Sequence, residues 1–210
     1  MLLRRGKSVW AALLLTLSVL AKETSMLVAG AAMLVYVFDR CRGQRGQRGQ
    51  RNPWYYFALP IVIFLIWQSV LRVNWGEFPI LAGKSNMGIP FSSFIGLFLD
   101  SSSLQTPLQR RIFPELILLS VFALGVIYHL RSSVATVHEI LSWFLYLALA
   151  LSLSRAVWAE DWAFLRAVSE FCVLGIIIVI GANSRARAMT LMTFLIFWLY
   201  LFLRLYRHGY

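Results

Sequence analysis

Long apolar runs alternate with short polar stretches along most of this chain, and the pattern predicts about seven helices. The apolar segments cover residues 9–21, 24–38, 54–71, 112–130, 134–153, 163–181 and 188–205. The last five reach the roughly 17 to 25 residues that a helix needs to cross a bilayer. The first two are shorter, so we expect them to form a thin pair or a re-entrant hairpin around the polar break at Lys22 and Glu23.

The amino-acid composition indicates that these helices belong to an integral membrane protein. Hydrophobic residues fill 60% of the 210 positions and charged residues only 14%, whereas soluble domains are about half apolar and a quarter charged. The predicted fold is all-α and polytopic, a single transmembrane domain over residues 1–210. Its expected parts are a short hairpin (1–39), an Arg-rich loop (40–53), a helix (54–72), an outer loop (73–111) and a four-helix portion (112–210).

Basic residues in the short loops predict the orientation of the chain. The start "RRGK" precedes the first segment, "RCRGQRGQRGQR" follows the second, Arg131 follows the fourth and "SRARA" follows the sixth. Alternation places all of them on one face, which the positive-inside rule makes cytoplasmic. The N-terminus is then inside, and the expected location is a bacterial inner membrane. The start also imitates a secretory signal with "VLA" before Lys22, but the second apolar run that follows at once favours an uncleaved hairpin.

The longest outer loop contains "IPFSSFIGLFLD", which predicts a short helix over about residues 90–100, lying in the outer interface. Pro90 suits the first turn of a helix. Phe91, Phe94 and Phe98 are three and four residues apart, so a helix places their rings on one face. The plain role of such a helix is to cover helix ends, and the functional role is to shape the entry for a lipid substrate.

The net charge of +11 comes from 20 basic and 9 acidic residues. Because the basic residues mostly flank apolar runs, we expect them to anchor helices and contact anionic lipid headgroups, with no nucleic-acid partner. Cys41 and Cys172 are far apart in sequence, so they indicate neither a disulfide scaffold nor a C-x-x-C metal site. His129, His138 and His208 stand singly, so neither a metal site nor a bound cofactor is predicted.

Charged residues gather on the predicted outer side in two stretches. One is Lys22 with Glu23, and the other is "RAVWAEDWAFLRAVSE", where residues 166 and 170 share a helix face. Charge at membrane depth is costly and is kept where it pairs or lines a wet cavity. Cations here can hold a lipid-linked phosphate, and a carboxylate can orient a sugar hydroxyl or act as a base. The candidate substrate-binding residues are Lys22, Glu23, Arg155, Arg166 and Glu170. The alternative is an ordinary turn and an ordinary intrahelical ion pair.

The stretch "LSVLAKETSMLVAGAAMLVY" resembles the Lys-Glu-Thr region of the GT-C superfamily. These polytopic glycosyltransferases, including the protein mannosyltransferase-like and aminoarabinose transferase-like branches, take sugars from polyprenyl-phosphate carriers. The stretches "YYFALPIVIFLIWQSVLR", "NWGEFP" and "DWAFLRAVSEF" also resemble parts of them. The resemblance implies hexosyl or pentosyl transfer from a lipid-linked sugar donor at the outer membrane face, with Lys22 and Arg166 as the best candidates for contact with the carrier phosphate.

The chain departs from the GT-C pattern in its catalytic acid. Those enzymes carry it in the first outer loop, commonly as an acidic pair, whereas here the first possible outer loop is Lys-Glu-Thr itself. We therefore expect the chain to correspond to the later half of such an enzyme, and no catalytic acid is assigned.

Two other functions are weighed against this one. The first is a non-catalytic subunit that packs in a larger membrane complex. A small transporter is disfavoured, because the sequence has neither paired broken helices nor a repeat of its two halves. The expected partners are membrane lipids, a polyprenyl-phosphate sugar and, in the first alternative, other membrane subunits.

Overall fold

The computed structural model of this protein describes residues 8–41, 54–78, 81, 86–99, 107–159, 161–183 and 185–207. Its α-helices are α1 (Ser8–Ala21), α2 (Met26–Cys41), α3 (Tyr55–Trp75), α4 (Ser92–Leu99), α5 (Pro107–His129), α6 (Val137–Leu151), α7 (Arg155–Ala159), α8 (Asp161–Ile180) and α9 (Arg187–Arg207). A 3₁₀ turn, Glu23–Ser25, stands between α1 and α2. Within these ranges β-pairing is limited to isolated bridges, so the predicted all-α class is confirmed.

Five helical stretches of the described chain are long and apolar enough to cross a membrane, which confirms the membrane character at that level. They are Glu23–Cys41, Tyr55–Trp75, Ile112–His129, Ala163–Ile180 and Arg187–Arg204. The prediction of a short second segment is wrong, because the 3₁₀ turn continues directly into α2 and gives 19 residues. The fifth segment, predicted over residues 134–153, is short at 15 residues, as is the first at 14. Val134 and Leu153, expected at its two ends, bond instead to other loops.

Helix α3 continues to Trp75, beyond its predicted end at residue 72, so residues 73–75 do not belong to the outer loop. It ends at Gly76, whose φ of 81° lies in the left-handed region that only glycine adopts without strain. The Gly76 N–H donates to the carbonyl of Arg72 at 2.8 Å and so closes the last turn. The glycine, rather than the loss of apolar character, marks the end of this helix.

The chain divides into two compact units. Unit 1 is Met1–Lys84 with Val137–Ser142, and unit 2 is Ser85–Thr136 with Trp143–Tyr210. Helices α1, α2 and α3 thus belong to unit 1, and α5, α8 and α9 belong to unit 2. Most of the predicted Arg-rich loop, residues 42–53, lies outside the described residues.

Unit 1 is built around α3, which packs against both α1 and α2. The buried face of α2 consists of Ala29, Ala31 and Ala32, and such small side chains let helix backbones approach closely in a membrane. The ring of Tyr36, near the end of α2, lies 6.4 Å from the ring of Phe57, near the start of α3. The two helices therefore run antiparallel.

Unit 2 contains a bundle of α5, α8 and α9 that packs around aromatic side chains. Phe122 of α5 lies with its ring centroid 6.0 Å from that of Phe171 on α8 and 5.5 Å from that of Phe194 on α9. Trp143 of α6 stacks on Phe171 at 5.3 Å. Phe122 thus contacts aromatic side chains of both other helices. Edge-to-face and stacked pairs of this kind add to the stability that burial alone gives.

The short helix predicted in the outer loop is confirmed as α4, while its place in the membrane interface stays a prediction. The expected role of Pro90 is wrong, because α4 begins at Ser92 and Pro90 lies in the turn before it. Phe91 has a φ of 66°, and this left-handed residue separates the turn from the helix. The side chains of Phe94 and Phe98 lie outside the described part, so the three-ring face is not tested.

The segment around the start of α4 caps the end of α6 within unit 2. The carbonyl oxygens of residues 151, 152 and 153 accept hydrogen bonds from the N–H of Phe91 (2.9 Å), the N–H of Gly88 (2.7 Å) and the hydroxyl of Ser93 (2.7 Å). The last carbonyls of a helix have no partner inside the helix. These bonds support the plain role of the segment, which is to cover a helix end.

Candidate functional site

The polar break between α1 and α2 is held rigidly by hydrogen bonds on both sides. Lys22 has an extended backbone with φ −150° and ψ 113°. Its N–H donates to the carbonyl of Ser18 at 2.8 Å, and its carbonyl accepts from the N–H of Ser25 at 3.0 Å. The Ser18 hydroxyl donates to the Ser25 hydroxyl at 2.8 Å. The Lys22 side chain is half-buried and that of Glu23 is exposed, so two opposite charges stand at a fixed helix junction.

A shallow, open groove of about 520 Å³ lies along one exposed face of α3 and is lined by residues of that helix alone. Its lining consists of Val62, Leu65, Ile66, Ser69, Val70, Val73 and Asn74. The Ser69 hydroxyl donates to the Leu65 carbonyl at 2.8 Å, and the Asn74 amide donates to the Val70 carbonyl at 3.0 Å. Because both polar side chains bond to their own helix, the groove offers an apolar surface to a ligand or a lipid chain.

The groove and the polar break lie toward the same end of unit 1. Since α2 and α3 run antiparallel, the start of α2 lies toward the end of α3. Lys22 comes four residues before the start of α2, and Asn74 lies at the end of α3. A cation and an apolar channel at one end of a helical unit suit a molecule with a phosphate at one end and a hydrocarbon chain behind it.

Arg166 and Glu170 lie one turn apart in the first half of α8, in unit 2. Arg166 is exposed and Glu170 is half-buried. The hydroxyl of Ser169 lies 2.9 Å from a carboxylate oxygen of Glu170 and 3.1 Å from the carbonyl of Arg166, so it can donate to either. The intrahelical spacing predicted for these two residues is therefore confirmed, and the serine helps to orient the carboxylate.

The candidate residues are divided between the two units. Lys22 and Glu23 belong to unit 1, whereas Arg155, Arg166 and Glu170 belong to unit 2. Arg155 is the first residue of α7, and its side chain lies outside the described part. The convergence of these charges into one site stays a prediction.

A buried ion pair that the sequence reasoning missed links α5 to α9 in unit 2. The Arg204 guanidinium donates to the Glu115 carboxylate across 89 residues of chain. Glu115 is fully buried and Arg204 is 7% exposed. Both residues lie inside predicted apolar segments, Glu115 in 112–130 and Arg204 in 188–205. A single arginine within a membrane segment was the available signal, because such a charge is kept only where it has a partner.

The other end of the same helix pair carries a second polar contact. Nε2 of His129, the last residue of α5, lies 3.3 Å from the Thr190 hydroxyl in the first turn of α9, and both side chains are buried. The structural role expected for a histidine at a helix end fits this contact. In the part of the chain that is described, no group of three His, Cys, Asp or Glu residues could hold a metal ion.

No protein-family model, no curated protein and no solved structure matches this chain. Function is therefore inferred from the geometry of each unit and from the residues of the Lys-Glu-Thr stretch.

Proposed function

We propose that this protein is a GT-C-like membrane glycosyltransferase, or a part of one, that binds a polyprenyl-phosphate-linked sugar at the outer membrane face. In this proposal all seven apolar segments cross or re-enter the membrane, with the N-terminus inside. The observation that carries the proposal is the position of the half-buried Lys22 at the same end of unit 1 as the apolar groove of α3.

Each candidate residue has a distinct role in this proposal. The Lys22 ammonium binds the carrier phosphate as a point charge, and the polyprenyl chain lies in the groove of α3. Arg166 of unit 2 is the second candidate for contact with a carrier phosphate, because its planar guanidinium matches phosphate geometry. Glu23 and Glu170 orient these cations. No described residue is assigned as the catalytic acid, so transfer requires an acid from outside the described part or from another chain.

The binding half of this proposal can be measured without knowing the sugar or the acceptor. We expect the purified protein in lipid nanodiscs to retain polyprenyl phosphate more strongly than polyprenol, which has the chain but not the charge. Lys22→Gln should weaken polyprenyl-phosphate binding about tenfold, because a hydrogen bond to a charged group contributes about 1.5–3 kcal/mol. Native mass spectrometry of the lipid-bound fraction gives both comparisons.

Two further variants separate the phosphate contact from the groove. Ser69→Phe fills the groove and should weaken binding of polyprenyl phosphate and polyprenol alike. Arg40→Gln removes a charge from the opposite end of α2, where Arg40 bonds the Tyr36 hydroxyl at 3.2 Å, and should leave binding unchanged. Equal binding of both lipids to wild type, or an equal loss in Arg40→Gln and Lys22→Gln, would contradict the proposal.

A non-catalytic packing subunit is the second candidate, and the buried pair of Glu115 and Arg204 favours it. In that pair two charges within membrane segments join two helices of this chain rather than bind a ligand. In this second proposal the chain co-purifies in fixed stoichiometry with other membrane subunits, and Lys22→Gln changes neither lipid retention nor transfer by the complex.

A further inference from the structure

Two loops at one end of unit 2 are joined into a single platform. The N–H of Val134 donates to the carbonyl of Gly181 at 3.0 Å, and the N–H of Asn183 donates to the carbonyl of Ser132 at 3.3 Å. The hydroxyl of Ser133 donates to the carbonyl of residue 178 at the end of α8 at 2.7 Å. The α5–α6 loop and the α8–α9 loop are thus fixed to each other, and we call them the joined loops.

The joined loops carry three exposed arginines, Arg131, Arg185 and Arg187. Arg131 precedes Ser132, and Arg185 follows Asn183 by two residues, so the Asn183–Ser132 hydrogen bond brings these two arginines into neighbouring positions. Among the described residues none of the three guanidinium groups forms a hydrogen bond or an ion pair. Three uncompensated positive charges therefore stand on one rigid surface.

The acidic side chains described in unit 2 do not neutralise this surface. Glu115 lies in the first half of α5 and binds Arg204, and Glu170 lies in the first half of α8. Both helices run toward the joined loops, so these acids lie toward the opposite end. Glu139, in the first turn of α6, is buried and belongs to unit 1, so among the described residues of unit 2 no carboxylate stands at the joined loops.

By length and composition, the joined loops stand at the end of one candidate membrane span and at the start of another. The span Ile112–His129 ends two residues before Arg131, and the span Arg187–Arg204 begins at Arg187. Arginines at this level meet lipid phosphates rather than hydrocarbon. Near them, the buried contact of His129 with Thr190 joins the end of α5 to the start of α9.

We propose that Arg131, Arg185 and Arg187 form a binding site for the phosphate of an anionic phospholipid at this end of unit 2. Arginine forks bind phosphate oxygens with two parallel hydrogen bonds, and neighbouring guanidinium groups from two loops can hold one headgroup together. This site is separate from the proposed carrier site and does not depend on it, because it involves none of the same residues.

The test compares lipid retention by the whole chain in detergent. We expect native mass spectrometry to show phosphatidylglycerol retained on the wild-type protein in preference to phosphatidylcholine. The triple variant R131Q/R185Q/R187Q should lose this preference, with retained phosphatidylglycerol falling roughly tenfold. The variant R131K/R185K/R187K keeps the three charges and should retain part of the preference for phosphatidylglycerol. The retained part shows that the variant is folded, and the lost part measures the contribution of the guanidinium geometry.

A charge-matched control uses the Arg-rich loop. R45Q/R48Q/R51Q removes the same three charges elsewhere in the chain and should leave the phosphatidylglycerol preference intact. An equal loss in both triple variants would mean diffuse attraction and would overturn the site. Inorganic phosphate is the second probe: if it displaces phosphatidylglycerol at equimolar concentration, the site takes free phosphate and the lipid assignment is wrong.

Discussion

Replacing Glu115 with alanine is expected to destabilise unit 2 by about 3–5 kcal/mol, the largest single effect that the structure predicts. The Glu115 carboxylate is fully buried and accepts a hydrogen bond from Arg204, which is itself almost fully buried. The variant would keep the arginine charge inside the helix pair but remove the carboxylate that balances it. Such a charge is costly in a low-dielectric interior, so α5 and α9 should separate or the arginine should move outward.

The double variant Glu115→Leu with Arg204→Met provides the matched control. It replaces both charges with apolar side chains of similar length, and we expect it to recover most of the stability that Glu115→Ala loses. Reversible unfolding in mixed detergent measures the free energy of unfolding of each variant. Hydrogen exchange of α5 and α9 shows whether the stability is lost at this helix pair. If Glu115→Ala unfolds at the same denaturant level as wild type, the pair does not hold these helices together.

Replacing Gly175 with alanine is expected to destabilise unit 2 by about 1–3 kcal/mol through overpacking. A Cβ atom built on Gly175 would stand 2.8 Å from two ring atoms of Phe122, and one built on Gly125 would stand 2.6 Å from Cγ2 of Thr190. Neither neighbour is the end of a flexible chain, so the helices themselves would have to move apart. Gly125→Ala should show a loss of the same order, with the effect at the crossing of α5 and α9.

Gly30 supplies the control for the glycine variants. It lies inside α2, and a Cβ atom built there has nothing within 4 Å. Gly30→Ala should therefore be neutral or stabilising by up to about 1 kcal/mol, because alanine favours the helix over glycine. The midpoint of thermal unfolding in detergent ranks the three variants. If the Gly175→Ala protein is as stable as the Gly30→Ala protein, α5 and α8 do not pack closely enough at Gly175 to exclude a methyl group.

Much of the fold could be predicted from the sequence, because membrane helices are long and apolar and their ends carry strong signals. The errors fall where local backbone chemistry decides the boundary. Apolar content suggested that α3 ends near residue 72, but the left-handed Gly76 sets its end. Val134 and Leu153 are as apolar as a helix needs, yet Val134 bonds to Gly181 and Leu153 pairs with Met87. No periodicity in the sequence predicts which distant loop offers a partner.

The candidate site was predictable only in its local parts. Sequence spacing located the break at Lys22 and the shared face of Arg166 and Glu170, because these depend on neighbours within one turn. The pair of Glu115 and Arg204 depends on the packing of two helices, because the two residues lie 89 positions apart in the chain. Long-range packing of this kind is set by side-chain shape and helix crossing, which one sequence does not specify.

The proposed function requires Lys22 and Arg166 to serve one carrier phosphate at the outer membrane face, and cross-linking beside these two residues tests that requirement most directly. Glu23 and Arg166 are both exposed, so Glu23→Cys and Arg166→Cys can be combined in a chain whose Cys41 and Cys172 are replaced. A membrane-impermeant bifunctional thiol reagent is added from outside, and a protease site at Gln47 is then cut. The account predicts that the two fragments remain covalently joined. Fragments that separate, or cysteines that react only from the cytoplasmic side, would contradict it.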